Sequence, residues 1–353
     1  MRKGKRLIAW IMAVVMLFTI CVFGGNGTAE AAATTPVAKH GRLSVKGADL
    51  VDSKENKFQL RGISTHGINW DVGSPYVNKK AFKTLRDDWG VNAIRLAMYT
   101  EEYNGYCSGG SQAKLRKLVD KGVGYATDLG MYAIIDWHIL SDGNPNKNKS
   151  QAKKFFTTMA KKYKNNKNVI YEICNEPNGC SWKEIKSYAT DIIKTIRKYD
   201  KKAVIIVGTP TWSQLGTDGT SNEVADSPIK GYKNIMYSLH FYASEWAHNE
   251  YLPAKVAYAR KKKLPIIVSE FGLSSASGDG AINKASADKW MKLLNKYNIS
   301  YFCWSLSNKN ESASLLKPSI KKNSGWKSGD LSTAGKYIKK KYLARKKALG
   351  KKA

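Results

Sequence analysis

The sequence has no apolar run after residue 23 long enough to cross a membrane, so nothing beyond its N-terminus reads as a span. It carries no zinc-finger spacing, no RRM signature and no other nucleic-acid motif, so no nucleic-acid partner is expected. The His-x-His pair of metal-dependent barrel hydrolases is absent, and neither a metal nor another cofactor is expected. No Pro/Ser/Thr-rich linker divides the chain, so a separate carbohydrate-binding module is not expected. Acidic residues are scarce: 28 Asp and Glu face 59 Lys and Arg, for a formal net charge of +31.

What is present begins with a leader. Arg2, Lys3, Lys5 and Arg6 precede an apolar run from Leu7 to Phe23, which Gly24-Gly25 interrupts. Ala29-Glu30-Ala31 then offers a small-residue cleavage site, with Ala31-Ala32-Ala33 as the alternative. That order reads as a signal peptide over residues 1–31 and a secreted, extracellular protein. The competing reading is an uncleaved anchor, since the run is at the short end of spanning length. Cys21 lacks a lipobox-like context. Residues 32–38 read as a disordered lead-in. Removing residues 1–31 takes away four cations and one glutamate and leaves +28. Such a surplus is either a solvated lysine surface or an electrostatic grip on an anionic cell-wall polymer or polysaccharide.

Four cysteines remain after the leader. Cys174 and Cys303 sit in strand-like runs and read as buried thiols. Cys107 and Cys180 follow two strands and are candidates to pair, though spacing alone leaves the connectivity open.

The chain is 42% hydrophobic and 11% aromatic, which excludes a mostly disordered polymer. Eight runs rich in β-branched and aromatic residues recur every 30 to 40 positions. They are Phe58–Ser64, Ala93–Tyr99, Tyr132–Ile139, Val169–Glu176, Ala203–Gly208, Ile235–Tyr242, Pro265–Phe271 and Ser300–Leu306. Most are near-continuous apolar runs, as parallel strands covered on both faces should be. Helical patterns alternate with them over 79–89, 112–129, 153–163, 182–199, 251–262, 286–297 and 332–342. This predicts an α/β fold, a (β/α)8 TIM barrel over residues 39–342. Leu43 to Lys57 reads as a hairpin closing its bottom. Ser213 to Pro228 reads as a long loop, and residues 343–353 as a basic C-terminal tail.

Chemistry in such a barrel belongs to the C-terminal strand ends. In chain order those ends offer His66 and Trp70; Arg95 and Tyr99; Asp136-Trp137-His138; and Asn175-Glu176. Trp212 follows, then His240 and Tyr242, Glu270, and Trp304 with Lys309 and Glu311. Taken alone, Asn175-Glu176-Pro177 also reads as a strand stop, and Glu270 as half of a buried ion pair with Arg95. Together, two carboxyl groups at strand ends match the acid and nucleophile of double-displacement glycoside hydrolysis. A cation beside a carboxylate also favours its ionised form. Tryptophans at the mouth suit sugars, whose C–H faces lie on indole.

These segments resemble glycoside hydrolase family 5, of the clan of (β/α)8 retaining glycosidases, and most of all its bacterial endo-β-1,4-glucanases (cellulases). The resemblance rests on Arg61-Gly62-Ile63-Ser64-Thr65-His66-Gly67, Ala93-Ile94-Arg95-Leu96-Ala97-Met98-Tyr99 and Asp136-Trp137-His138. It extends to Tyr171-Glu172-Ile173-Cys174-Asn175-Glu176-Pro177-Asn178-Gly179, His240-Phe241-Tyr242, Ser269-Glu270-Phe271-Gly272 and Trp304-Ser305-Leu306-Ser307-Asn308-Lys309. It implies Glu176 as general acid/base and Glu270 as nucleophile. It implies substrate contacts from His66, Trp70, Arg95, Tyr99, His138, Asn175, Trp212, His240, Tyr242, Trp304, Lys309 and Glu311. Asn175 would meet the sugar 2-hydroxyl, and Trp304 would be the platform at the cleavage site. Trp70, Tyr99, Lys309 and Glu311 would hold the non-reducing side, and Trp212 the leaving side. The implied substrate is a β-glucan polysaccharide, attacked by a monomer. Mannan, xylan, xyloglucan and mixed-linkage glucan stay open as alternatives, because the acid pair does not read remote hydroxyls. A non-catalytic carbohydrate- or wall-binding barrel is the alternative of a different class. Cys174, where the family pattern has a small residue, and Ser305, where Asn is frequent, are the departures.

Overall fold

The computed structural model describes residues 34–350. The leader, with Cys21 and the cleavage site, lies outside the described residues. Eight parallel strands close into a barrel in the order β10-β3-β4-β5-β6-β7-β8-β9. They are β3 (Arg61–Thr65), β4 (Ala93–Tyr99), β5 (Tyr132–His138), β6 (Val169–Glu172), β7 (Ile205–Val207), β8 (Ile235–Tyr242), β9 (Ile266–Gly272) and β10 (Tyr301–Leu306). A two-stranded antiparallel hairpin, β1 (Ser44–Lys46) with β2 (Asp49–Val51), precedes them. The expected hairpin and the (β/α)8 barrel are both found.

Local sequence sets the helix ends. In α2 (Lys79–Trp89), the Asn78 side chain accepts from the Ala81 N–H, and Gly90 closes the helix at φ 76°, a left-handed value glycine adopts freely. In α5 (Trp182–Arg197), Ser181 and Glu184 form a reciprocal capping box. Ser111 and Asn283 cap α3 (Gln112–Asp128) and α9 (Lys284–Lys296) by accepting from the Lys114 and Ser286 N–H groups.

Three expectations need correction. The end of the lead-in is helical: Pro36, Val37 and Ala38 open a short helix, α1 (Pro36–His40). Thr35 caps it, Pro36 pre-sets its first turn, and the Val37 N–H donates to the Gly130 carbonyl at 2.9 Å. The tail is not separate from the barrel: α10 (Thr333–Gly350) runs on through it, and Arg345 donates to Gln59 at 2.8 Å. The first barrel strand begins at Arg61 because Phe58 and Leu60 belong instead to the apolar plug at the bottom. The Ser213–Pro228 segment is a loop but for one short helix, α7 (Glu223–Asp226).

Side chains pointing into the barrel form layers. The lowest holds Ala93, Tyr132, Ile134, Ile170, Ile206, Met236, Ile267 and Phe302, sealed from below by Leu43, Leu50, Phe58 and Leu60. Two residues further along each strand, alternation brings polar groups inward: Arg95, Asp136, Glu172, Ser238 and Ser269, all buried. The next layer opens at the mouth with Ala97, Tyr99, Tyr242 and Trp304. A dry floor therefore lies beneath a charged middle.

Gly62 shows how tight the floor is. A Cβ there would lie 2.0 Å from the Phe302 ring. Gly62→Ala should lower stability by about 1–3 kcal/mol, as overpacking does. In a Gly62→Ala/Phe302→Leu double variant, the smaller side chain should recover part of that loss. Urea midpoints of the four proteins measure the coupling. Strict additivity would mean the two residues do not compete for space.

Candidate active site

Arg95 is the hub of the charged layer. Its Nε donates to Glu172 Oε2 at 2.7 Å, and its Nη1 donates to Glu270 Oε2 at 3.0 Å and Ser64 Oγ at 3.3 Å. Its Nη2 donates to Asn175 Oδ1 at 2.5 Å and lies 3.0 Å from Asp136 Oδ2. Burial opposes its charge, but Asp136, Glu172 and Glu270 more than compensate and raise its pKa.

Arg95 has only donors, so the Asn175 atom it meets is the oxygen and the other is the amide nitrogen. That nitrogen donates to the Ile139 carbonyl at 3.1 Å and to His138 Nε2 at 3.2 Å. His138 Nε2 is then an acceptor, and the ring proton is on Nδ1, which donates to Asp136 Oδ2 at 2.6 Å. His138 is thus a neutral imidazole on donor–acceptor grounds alone. Burial, with Arg95 nearby, pushes its pKa down to about 3, in agreement. Asn175 keeps one free lone pair on Oδ1.

The two candidate carboxyl groups have opposite settings. Glu270 accepts from Arg95 on one oxygen and from the Tyr242 hydroxyl, at 2.8 Å, on the other. Glu176 lies just past the end of β6, with its carboxyl 13% exposed and Oε1 2.8 Å from His240 Nδ1. Burial pushes the Glu176 pKa up to about 8; Arg95 opposes this, while Asp136 and Glu172 add to it. Desolvation is the leading cause, ahead of any neighbouring charge. One oxygen of Glu176, one of Glu270 and a His240 nitrogen lie within 4.8 Å of one another. These three do not suit a metal, because their donor atoms are already engaged. Glu270 has two donors, and His240 Nε2 is 2.9 Å from Ser269 Oγ. Burial pushes His240 down to about 4, so it too is neutral.

Glu270 reaches the mouth through an irregularity. Ile267 and Ser269 face inward, so strict alternation would turn Glu270 outward. The β8–β9 register shifts between Ser238 and His240, and His240 then pairs with Glu270. This bulge lets consecutive residues serve the interior: Ser269 bonds Ser238 and His240, and Glu270 bonds Arg95 and Tyr242.

The aromatic residues surround the pair. Tyr99 lies 4.1 Å from His138 and 4.6 Å from Trp70, centroid to centroid. Trp304 stacks on His138 at 5.3 Å and 19°. His66 lies 5.2 Å from Trp304, with Nε2 3.8 Å from Glu311 Oε1, and Lys309 meets the other Glu311 oxygen at 2.5 Å. Burial, helped by Lys309, pushes the His66 pKa down to about 3. Trp212 stands apart, 44% exposed, on a one-turn segment, α6 (Pro210–Ser213). Thr211, Trp212 and Ser213 all have left-handed φ, at 57°, 53° and 63°. The turn is anchored by Trp212 N–H to the Pro177 carbonyl at 3.0 Å and by Ser213 Oγ to the Asn175 carbonyl at 2.7 Å.

Sequence reading passed over Asp136, Glu172, Ser238 and Ser269 as site residues. The available signal was a polar residue inside an otherwise apolar run, one to four positions before the strand-end group it serves. Cys107 and Cys180 are free thiols, half-buried against the core, and do not pair; Cys174 and Cys303 are buried as expected.

Residues 51–310 match the family model described as cellulase (glycosyl hydrolase family 5). The chain belongs to glycosyl hydrolase family 5. Within this family it is 46% identical to an endoglucanase from Clostridium saccharobutylicum, over 95% of this chain and 72% of that protein. It is 44% identical to endoglucanase 5 from Pectobacterium carotovorum subsp. carotovorum, over 92% of this chain and 62% of the relative. Among solved structures it is similar to the catalytic domain of Thermobifida fusca endoglucanase Cel5A (E5) in complex with cellotetraose. That likeness has a TM-score of 0.81 at 36% identity and covers 88% of this chain and 99% of the other.

The raised pKa of Glu176 has a consequence for stability. A folded-state pKa of about 8, above the ordinary glutamate range, means the folded protein holds a proton that the unfolded chain releases near pH 4.5. Stability from this group therefore falls as pH rises from about 4.5 to 8, and the penalty is complete above 8. Glu176→Gln removes the titration while keeping the shape. Its melting temperature should rise relative to wild type between pH 5 and pH 9. A constant difference across that range would refute the assignment.

Proposed function

We propose that this protein is a secreted endo-β-1,4-glucanase that cleaves internal β-1,4-glucosidic bonds of cellulose or a related β-glucan with retention of configuration. One observation carries the reading. Two carboxyl groups with oxygens within 4.8 Å sit in settings that keep one protonated and bond the other to a cation and a phenol. Retaining pairs stand about 5–5.5 Å apart, and inverting pairs need about 6.5–9.5 Å to admit a water between them. Export rests on the leader in residues 1–31, and the proposed state is a monomer.

In the first step Glu176 gives its proton to the glycosidic oxygen while Glu270 attacks the anomeric carbon. Before that transfer, the Glu176 hydroxyl donates to His240 Nδ1, and His240 Nε2–H donates to Ser269. A neutral His240 can orient the acid without taking its proton. As Glu270 becomes an ester it loses its charge, and Glu176, having given up its proton, is left as a carboxylate. Glu176 is then suited to deprotonate the water that releases the sugar. Tyr242 and Arg95 hold the carboxylate at its attack angle. The free lone pair of Asn175 can accept a bond from the 2-hydroxyl. Trp304 supplies the platform at the cleavage point, with Tyr99, His138 and His66 beside it. Trp70, Lys309 and Glu311 line the non-reducing side, and Trp212 the leaving side. The same machinery on mannan, xylan or xyloglucan is the competing reading.

Reducing ends released from carboxymethyl cellulose, mixed-linkage β-glucan, mannan and xylan test the substrate. Release from the first two and its loss in Glu270→Ala are expected. Release confined to mannan or xylan would overturn the glucanase assignment and keep the mechanism. Glu176→Ala should lose about 10²–10⁴-fold on polymer, yet keep the first step on aryl glycosides with good leaving groups. Equal losses on both would remove Glu176 from the acid role.

We also propose an anionic polysaccharide of the cell wall as a partner, held electrostatically by the basic surface. The cations of α10 support this: Lys336, Lys340, Lys346 and Lys347 are exposed, and the helix contains no acidic residue. Retention on immobilised polygalacturonate should fall linearly in log–log form as salt rises. Retention independent of salt, or none at low salt, would contradict it.

A further inference from the structure

Large apolar side chains are exposed at five described positions: Tyr103, Trp212, Trp246, Tyr251 and Leu343. Single exposed apolar residues are ordinary. Here four of the five are aromatic, and all four sit on segments leaving the C-terminal ends of barrel strands. Tyr103 follows β4, Trp212 follows β7, and Trp246 and Tyr251 follow β8. The rings are therefore confined to the face that carries the carboxyl pair.

Trp246 and Tyr251 lie on the leaving-group side. Trp246 opens α8 (Trp246–Lys261), only four residues after Tyr242, whose hydroxyl bonds Glu270. Glu245, just before it, accepts the Ala276 N–H at 2.7 Å, which fixes the start of the helix. The indole of Trp246 is 68% exposed, and the Tyr251 ring meets it edge-on at 5.8 Å and 82°. Tyr251 lies over the segment that carries Trp212: a Cβ on Gly219 would come within 2.9 Å of its ring. Buried Lys255, one turn further on, donates to the carbonyls of Gln214, at 3.2 Å, and Asp218. These contacts hold the 214–219 segment, just after Trp212, against α8, the helix that carries Trp246 and Tyr251. Tyr251 braces one edge of the indole and leaves its face to solvent.

An indole face held rigid and open beside a polysaccharide cleft has a natural occupant in the apolar face of a pyranose ring. We propose that Trp246, braced by Tyr251, forms an outer sugar-binding subsite beyond Trp212 on the leaving-group side. It takes a glucose residue of the same β-glucan chain. This rests on the glucanase reading and extends it: the subsite favours long chains over short ones and cleavage away from chain ends.

The test compares wild type with Trp246→Ala, Trp246→Phe and Tyr251→Ala. kcat/KM is measured on cellohexaose and on a short aryl cellobioside. For Trp246→Ala the ratio of hexaose to aryl cellobioside should fall about tenfold, equivalent to about 1.4 kcal/mol of binding, with most of it regained in Trp246→Phe. Tyr251→Ala should lower the ratio by less. An unmoved ratio in Trp246→Ala, or equal losses on both substrates, would overturn the subsite. If wild type hydrolyses no glucan, the enzyme reading fails separately. Calorimetric binding of cellohexaose to wild type and Trp246→Ala then decides the subsite, and equal affinities or no binding would remove it.

Discussion

The guanidinium of Arg95 joins its own strand to four others: β3 through Ser64, β5 through Asp136, β6 through Glu172 and β9 through Glu270. It also holds Asn175, just past β6, through the amide oxygen. Burying one cation with three carboxylates is not an efficient way to stabilise a barrel, because desolvation consumes most of the Coulombic gain. What the arrangement secures is geometry. Glu270 through one oxygen and Asn175 through its amide oxygen are both held by the same planar fork. The chain of consequences runs from Arg95 to the Asn175 amide, from that to the His138 tautomer, and from His138 to Asp136. Lysine has no planar fork and could not dictate this sequence of donors and acceptors.

Two glutamates become different reagents because of this layer. Glu270 reaches down to Arg95, whereas Glu176 faces a neutral imidazole. Burial leads the rise of the Glu176 pKa, and the buried carboxyl groups of Asp136 and Glu172 reinforce it. Asp136, pushed up to about 7 by burial against the pull of Arg95, shows how closely the layer is balanced between charged and neutral forms.

Much of this was legible in residues alone. Strands β4 and β8 and helix α2 have the bounds that pattern predicts, because apolar runs and the Asn78 and Gly90 caps mark both ends. Glu176, Glu270 and the aromatic ring of the mouth follow from their places at strand ends. The middle layer was harder to see. Which residues of a wholly buried strand point inward is not visible when both faces are apolar, so Asp136 and Glu172 read as part of the run. The β8–β9 bulge has no local signature, and it decides that Glu270 faces the mouth. Tyr251 opens the helical pattern read over 251–262, where aromatics ordinarily read as core, and Trp246 precedes that pattern; only their exposure marks the two out.

The left-handed turn at Thr211, Trp212 and Ser213 bears on how this enzyme can be improved. Each non-glycine residue in that conformation costs about 1–2 kcal/mol, and here three stand in a row. Glycine or asparagine at Thr211 would relieve the strain, and a search for heat resistance would favour such changes. The same turn is tied to the Asn175 carbonyl through Ser213, one residue from Glu176. Relaxing it would loosen Trp212 and Glu176 together, so under the roles proposed for them, selection for thermal endurance at this position works against turnover.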